Sequence, residues 1–265
     1  SRSVATGRHR TAGLSRHPHA PVMGMLSAVS SRRPLPVRGL RRAVAEARRI
    51  AHRLEVARHA RRARRLEAGR PPEYHDYLET QLDRSLSKRR NDPGIGQSIL
   101  VEAATAVASP TARVLCVGCR NGMELDAFRA RGLTDVRGID IFSQREDIVV
   151  MDMHAMTFPD DSFDVVYSSH SLEHSFDVDT VARELVRVAR PGATLAVEVP
   201  VAHKGSAADL VVFDGVEMLE RVFGDAVGEV ALREEEPARS PRNDQGSTIA
   251  RLVFRVAKPS GATTG

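Results

Sequence analysis

Residues 114–128 read VLCVGCRNGMELDAF: an apolar run, Gly118, three intervening residues, Gly122, and then a helical pattern. Such an order turns a strand sharply into a helix, because glycine adopts backbone angles that a Cβ disfavours. The first turn of a helix leaves N–H groups without partners and carries a partial positive charge, which suits a ligand carboxylate. An ordinary strand-turn-helix also favours glycine, so this stretch gains weight only from its surroundings.

Those surroundings alternate between strand and helix from residue 94 onward. A helix is expected around 95–108, stopped by Pro110, followed by a strand at RVLCV and a helix from about 122 to 131. DVRGID, DIVVMD and FDVVYSS read as the second, third and fourth strands. Asp177 can cap a helix whose buried stripe is Val178, Val181, Leu185 and Val188. Pro191 and Gly192 are expected to break that helix before a fifth strand, TLAVEVP. A helix near 215–223 and strands at EVALREE and TIARLVFRVA complete the pattern. Alternation of this kind predicts an α/β fold with a mostly parallel sheet covered on both faces. There is no internal repeat.

The first third differs. Residues 1–90 hold 22 Lys and Arg against 7 Asp and Glu, a net charge of +15, whereas the remainder is −10. Residues 1–37 and the tail 259–265 are expected to be disordered, the former on its Ser, Arg, Pro, Gly and His content. Residues 38–93 read as a helical extension. In 38–68, Leu40, Val44, Ala47, Ala51 and Leu54 recur at helical spacing among arginines, up to a stop at Gly69 and Pro71-Pro72. This segment admits two readings: a solvated helix, or a basic helix touching nucleic acid or an anionic surface. A second helix is expected over 73–90, with Tyr74, Tyr77, Leu78, Leu82 and Leu86 as its apolar stripe.

No apolar run approaches a membrane span, and the first segment lacks a secretory apolar core, so a cytoplasmic protein is expected. The Arg-rich, acid-poor start also fits an organelle transit peptide, and Met23 or Met25 could lie near a native start. Scarce aromatics and the absence of Trp leave few stacking platforms for single-stranded nucleic acid. Cys116 and Cys119 are too few for a four-thiolate zinc site, and no metal-ligating set is read. Their CVGC spacing has a redox reading, but Cys116 falls in a strand pattern and Cys119 in the glycine turn.

Three elements carry the candidate chemistry. The first is the turn at Gly118, Cys119 and Gly122. The second is Asp140, which ends the second strand 22 residues after Gly118. A carboxylate there can accept both hydroxyl hydrogens of a ribose, at the interval expected of nucleoside-binding α/β domains. The third is VVMDMHAMTFPDDSFDVVYSSHSLEH, where Asp152 can reach the exocyclic amine of an adenine and Met153 offers an apolar wall. Ligands of open parallel sheets bind outside the carboxyl ends of the strands, which puts Gly118, Asp140, Asp152 and Ser168 on one rim.

Residues 112–200 resemble the class I S-adenosylmethionine-dependent methyltransferases, in particular the methyltransferase type 11 group. VLCVGCRNG, GIDIF, DMHAMTFPDDSFDVVYSSHSLEH and LVRVARPGATLAVEVP are similar to its motifs in the right order. The resemblance implies a Rossmann-like, doubly wound sheet of seven strands over 94–258, its last strand antiparallel. It also implies S-adenosyl-L-methionine as cofactor, held through Gly118, Cys119 and Gly122 at the methionine moiety, Asp140 and Ile141 at the ribose, Asp152 and Met153 at the adenine, and Ser168 on the rim. His170 resembles the position near the reacting methyl group. One residue departs from the pattern: Arg120 stands where the group usually has glycine. Arg120 could point outward, pair with the cofactor carboxylate, or weaken binding. Arg120 and Met123 also exclude the G-x-G-x-x-G fingerprint of nicotinamide enzymes.

His170 and His174 are candidate general bases, since histidine titrates near neutrality. Each also has a structural reading: pocket lining for His170, and a hydrogen bond to backbone at the start of the next helix for His174. SSHS stands where amino-methylating enzymes carry an NPPY-like tetrapeptide, which favours oxygen or carbon as acceptor. His203 and Lys204 are candidates for an acidic acceptor. The expectation is a methyltransferase acting on a small molecule. The alternatives are an RNA methyltransferase recruited through the Arg-rich segment, and a catalytically inactive binding protein with Arg120 as the lesion.

Overall fold

The computed structural model describes residues 43–47, 49–51, 53–54, 57, 61, 66, 69–87, 95–143, 145–202, 207–237 and 248–258. The chain divides into two units, Ser1–Ala45 and Glu46–Gly265. Residues 43–45 are all that is described of the first, and they are helical and exposed. The expected disordered segments 1–37 and 259–265, and the candidates His203 and Lys204, lie outside the described residues.

The second unit contains α1 (Pro72–Ser87), α2 (Ile95–Ala106), β1 (Val114–Val117), α3 (Met123–Arg129), β2 (Val136–Asp140), β3 (Ile148–Val150) and β4 (Phe163–Ser169). A 3-10 turn (Leu172–His174) then leads to α4 (Val178–Val188), β5 (Ala189–Val201), α5 (Val216–Phe223), β6 (Val227–Pro237) and β7 (Thr248–Val256). Residues of 46–61 that are described are helical, and Leu54 is 67% exposed. That exposure fits a solvated face.

The seven strands form one sheet ordered β3-β2-β1-β4-β5-β7-β6. Strands β3, β2, β1, β4 and β5 are parallel, and β7 runs antiparallel between β5 and β6. This is the expected doubly wound sheet with an antiparallel last strand. Its centre is buried on both faces, which explains why β1 is an unbroken apolar run. Alternate residues go to opposite cores: Leu115 and Val117 pack with α4 and α5, while Val114 and Cys116 pack with α2 and α3.

Local chemistry sets most boundaries. Asp177 accepts the Thr180 N–H at 3.0 Å and starts α4, and Val181, Leu185 and Val188 are fully buried beneath it. The helix ends at Val188, ahead of the expected break, because Ala189 is already extended at the start of β5. Pro191 and Gly192 therefore lie within the strand segment, with Gly192 at φ 75°. Strand β3 likewise stops at Val150, so Asp152 lies beyond it rather than closing it.

The strand order reverses between β1 and β4, with β2 on one side and β5 on the other. The two halves of the sheet diverge there and leave a crevice at the carboxyl ends.

Candidate active site

A cavity of about 220 Å³ occupies that crevice. Its floor is the turn after β1, beginning at Gly118. Gly118 has φ 75°, and a Cβ on it would collide with the Ser171 side chain. Its N–H donates to the Ile139 carbonyl at 2.9 Å, tying the turn to β2. Only glycine meets both demands, so the backbone here stays open to a ligand. Cys119 also faces the cavity. Its thiol and that of Cys116 are buried and free, and burial pushes both well up, away from the range of reactive thiolates.

Asp140 ends β2 on the opposite wall, followed by Ile141. One carboxylate oxygen accepts the Arg120 N–H at 2.9 Å, and the other accepts the Phe142 N–H at 3.0 Å. Each oxygen keeps a second lone pair, enough for two hydroxyl hydrogens. Burial pushes the carboxyl up to about 6, against the pull of these backbone N–H groups and of Arg120. Arg120 does not plug the turn. Its guanidinium donates to the Ser85 carbonyl at the end of α1, and its own carbonyl accepts from Ser143. Glu124, in the first turn of α3, is 6% exposed, and burial pushes its carboxyl up to about 7.

Met151 and Met153 supply the apolar wall beyond β3, with Tyr77 of α1. Ser169, His170 and Ser171 close the end at β4. Three expected residues stand behind these surfaces. The Gly122 Cα–H faces the Arg145 guanidinium, which a Cβ would meet at 2.8 Å. Ser168 is buried and alternates away from the cavity wall that Ser169 joins. Asp152 has partners other than the expected adenine amine. One oxygen accepts from the His154 backbone at 2.9 Å and from its Nδ1 at 2.8 Å, and the other from the Tyr74 hydroxyl at 2.6 Å and Arg70 at 3.3 Å. Burial would raise the Asp152 carboxyl, but His154 and Tyr74 hold it below the usual range.

His154 Nε2 accepts the Phe176 N–H at 3.0 Å, so its proton sits on Nδ1, facing Asp152. His154 thus fills the helix-start role expected of His174. His174 instead meets the Ala208 carbonyl and Asp209 through Nδ1, and the Arg84 guanidinium through Nε2.

His170 reaches the cavity at φ 51°, a left-handed conformation rare for a residue with a Cβ. Its N–H donates to the Glu198 carbonyl at 2.9 Å. Its Nδ1 lies 3.6 Å from Glu173 and its Nε2 lies 3.3 Å from Glu198. The ring is 42% exposed because it borders open cavity, although it sits deep in the fold. Burial alone would depress its pKa, but the two carboxylates override that and push it up to about 10. The carboxylate beside each nitrogen favours the protonated ring, which works against the general-base reading.

Sequence reading missed Tyr77, Gln81, Arg84, Glu124, Glu198 and Arg251. Glu198 and Arg251 did leave a signal, a charge inside each of two apolar strand runs, where only a paired charge is tolerated.

Residues 115–197 match the family model described as a methyltransferase domain. The matched segment is similar to the methyltransferase domain of the class I S-adenosylmethionine-dependent methyltransferases. S-adenosylmethionine is the cofactor of this class. A stretch of 66 residues is 39% identical to ajmaline N-methyltransferase of Rauvolfia serpentina, covering 25% of this chain and 22% of that protein. Another of 48 residues is 44% identical to malonyl-[acyl-carrier protein] O-methyltransferase of Halorhodospira halophila, covering 18% and 16%. The matched segments thus span about a fifth of these relatives. The 1,6-didemethyltoxoflavin-N1-methyltransferase of Burkholderia thailandensis, solved with its acceptor and S-adenosylhomocysteine, shares the fold at TM-score 0.58 and 16% identity, over 71% of this chain and 91% of that one. The matched segment includes β1 and β4, whose carboxyl ends border the cavity. Among the described residues, no helix is long and apolar enough to cross a membrane.

Proposed function

We propose that the chain is an S-adenosylmethionine-dependent methyltransferase acting on a small-molecule acceptor through oxygen or carbon. The observation that carries this reading is the pairing of Gly118 and Asp140 across one cavity at the carboxyl ends of β1 and β2. The bare Gly118 backbone suits close approach of the methionine moiety, and Asp140 has lone pairs left for ribose hydroxyls. Met151, Met153 and Ile141 suit an adenine face by apolar contact. When bound, the cofactor supplies a methyl group on a sulfonium. The residues around it have to hold the acceptor in line with that group, and orientation of this kind is worth about 7–11 kcal/mol in favourable cases.

A small acceptor is favoured because α1 contributes Tyr77, Gln81 and Arg84 to the wall and encloses the cavity. Arg120, which bonds Ser85 and leaves the turn open, argues against an inactive site. The domain boundaries proposed are a helical extension over 38–93 and a catalytic domain over 94–258. Calorimetry with S-adenosylhomocysteine on the chain and on Asp140→Ala tests the reading. Micromolar binding that weakens tenfold or more in the variant, about 1.4 kcal/mol, supports it. Two folded proteins that both fail to bind would end it.

A further inference from the structure

Residues Ser169, Glu198, Arg251 and Glu234 are register partners in one row across β4, β5, β7 and β6. Their side chains join along that row. The Ser169 hydroxyl donates to Glu198 at 3.0 Å, Arg251 Nε donates to the other Glu198 oxygen, and Arg251 Nη1 donates to Glu234 at 2.6 Å. Glu198 and Arg251 are 1% and 2% exposed, and Glu234 lies at the half-buried end. The other end is His170, whose Nε2 meets Glu198. Signs alternate along the row from His170 to Glu234. A buried ion pair costs desolvation that a hydrocarbon pair would avoid, so stability alone does not account for one placed here. The row delivers a fixed carboxylate to the cavity end of β5.

We propose that Glu198, backed by Arg251 and Glu234, is a positioning residue for methyl transfer that holds the His170 Nε2–H, so the ring presents charge to the acceptor and takes no proton from it. This rests on the methyltransferase reading for the reaction and its acceptor; the ion-pair contacts of His170 do not depend on it. The charged or titratable groups around the ring agree with it. Glu173 of the 3-10 turn lies 3.6 Å from Nδ1, with His174 beside it. Arg84 of α1 acts on Glu173, and Glu124 of α3 and Arg251 of β7 lie further out. The carboxylates nearest the ring outweigh its burial, which favours the imidazolium form. A hydroxyl acceptor would therefore have to arrive ionised or lose its proton elsewhere.

The test is nitrogen NMR of the full chain labelled in histidine, with His170→Gln to assign the ring. In the unmodified chain both His170 nitrogens should stay protonated from pH 6 to 8. In Glu198→Gln the titration midpoint should fall by about one unit or more, a tenfold or greater loss of proton affinity. A His170 ring in the unmodified chain that titrates near 6.5 overturns the proposal, whatever the variants do. So does an unmoved midpoint in folded Glu198→Gln. S-adenosylhomocysteine calorimetry on the same samples reports separately: failure to bind removes the cofactor reading and leaves the titration result standing.

Discussion

Gly118 carries two constraints at once, a left-handed backbone and a neighbour where its Cβ would be. Gly118→Ala should therefore lose about 1–2 kcal/mol from the backbone alone, and more from Ser171. Urea denaturation would measure it, and Ser171→Gly in the same chain should recover only the steric part. Asp140 makes a different prediction. Its carboxyl is pushed up to about 6, and it can accept a hydroxyl at each oxygen only when ionised. S-adenosylhomocysteine affinity should then fall as pH drops from 7.5 to 5, by up to tenfold per unit below that value. An affinity flat across this range, measured by calorimetry, would mean Asp140 is not the ribose ligand.

At the level of elements, α1 is the piece that turns an open crevice into a cavity. It is fastened through Tyr74 to Asp152, through Gln81 to the Ala208 carbonyl at 2.7 Å, and through Arg84 to His174. Tyr74 and Tyr77 also pack on His154 and Phe176 with ring centroids 5.1–5.7 Å apart. A hydrogen bond to a charged group is worth about 1.5–3 kcal/mol. Tyr74→Phe should lower stability by that order and speed amide exchange in α1 more than in the sheet. Helix α4 depends instead on its stripe: Leu185→Ala should cost about 2–5 kcal/mol, measured by thermal unfolding. The stripes of both helices were legible because a 3.6-residue period is local. The fastenings were not, because Asp152 meets a tyrosine 78 positions earlier.

Across the whole molecule, the site sets part of the pH dependence of stability. Glu124 and Asp140 have raised folded values, so they favour the folded state most below their unfolded pKa of about 4. That contribution is lost as pH rises through 6 and 7. Glu173, Glu198 and Asp152 are held low, and what they contribute is lost as pH falls. Glu124→Gln isolates the first group. It should gain on the unmodified chain between pH 5 and pH 8, by up to about 3 kcal/mol, in urea unfolding at the two pH values. No gain would mean that ionised Glu124 is well solvated or paired.

The sequence alone determined the strand and helix order, the glycine turn and the acid at the end of β2. Each depends on contacts within a few residues, through backbone sterics, side-chain period or capping. It also marked Glu198 and Arg251 as charges out of place in strands, without saying what they meet. Tertiary structure decided which carboxylates remain available to a ligand. It left Asp140 its spare lone pairs, gave Asp152 to Tyr74 and His154, and set Glu198 between His170 and Arg251. Those choices depend on which distant strands become neighbours and in what register, and a buried charge takes whichever partner the register brings within reach.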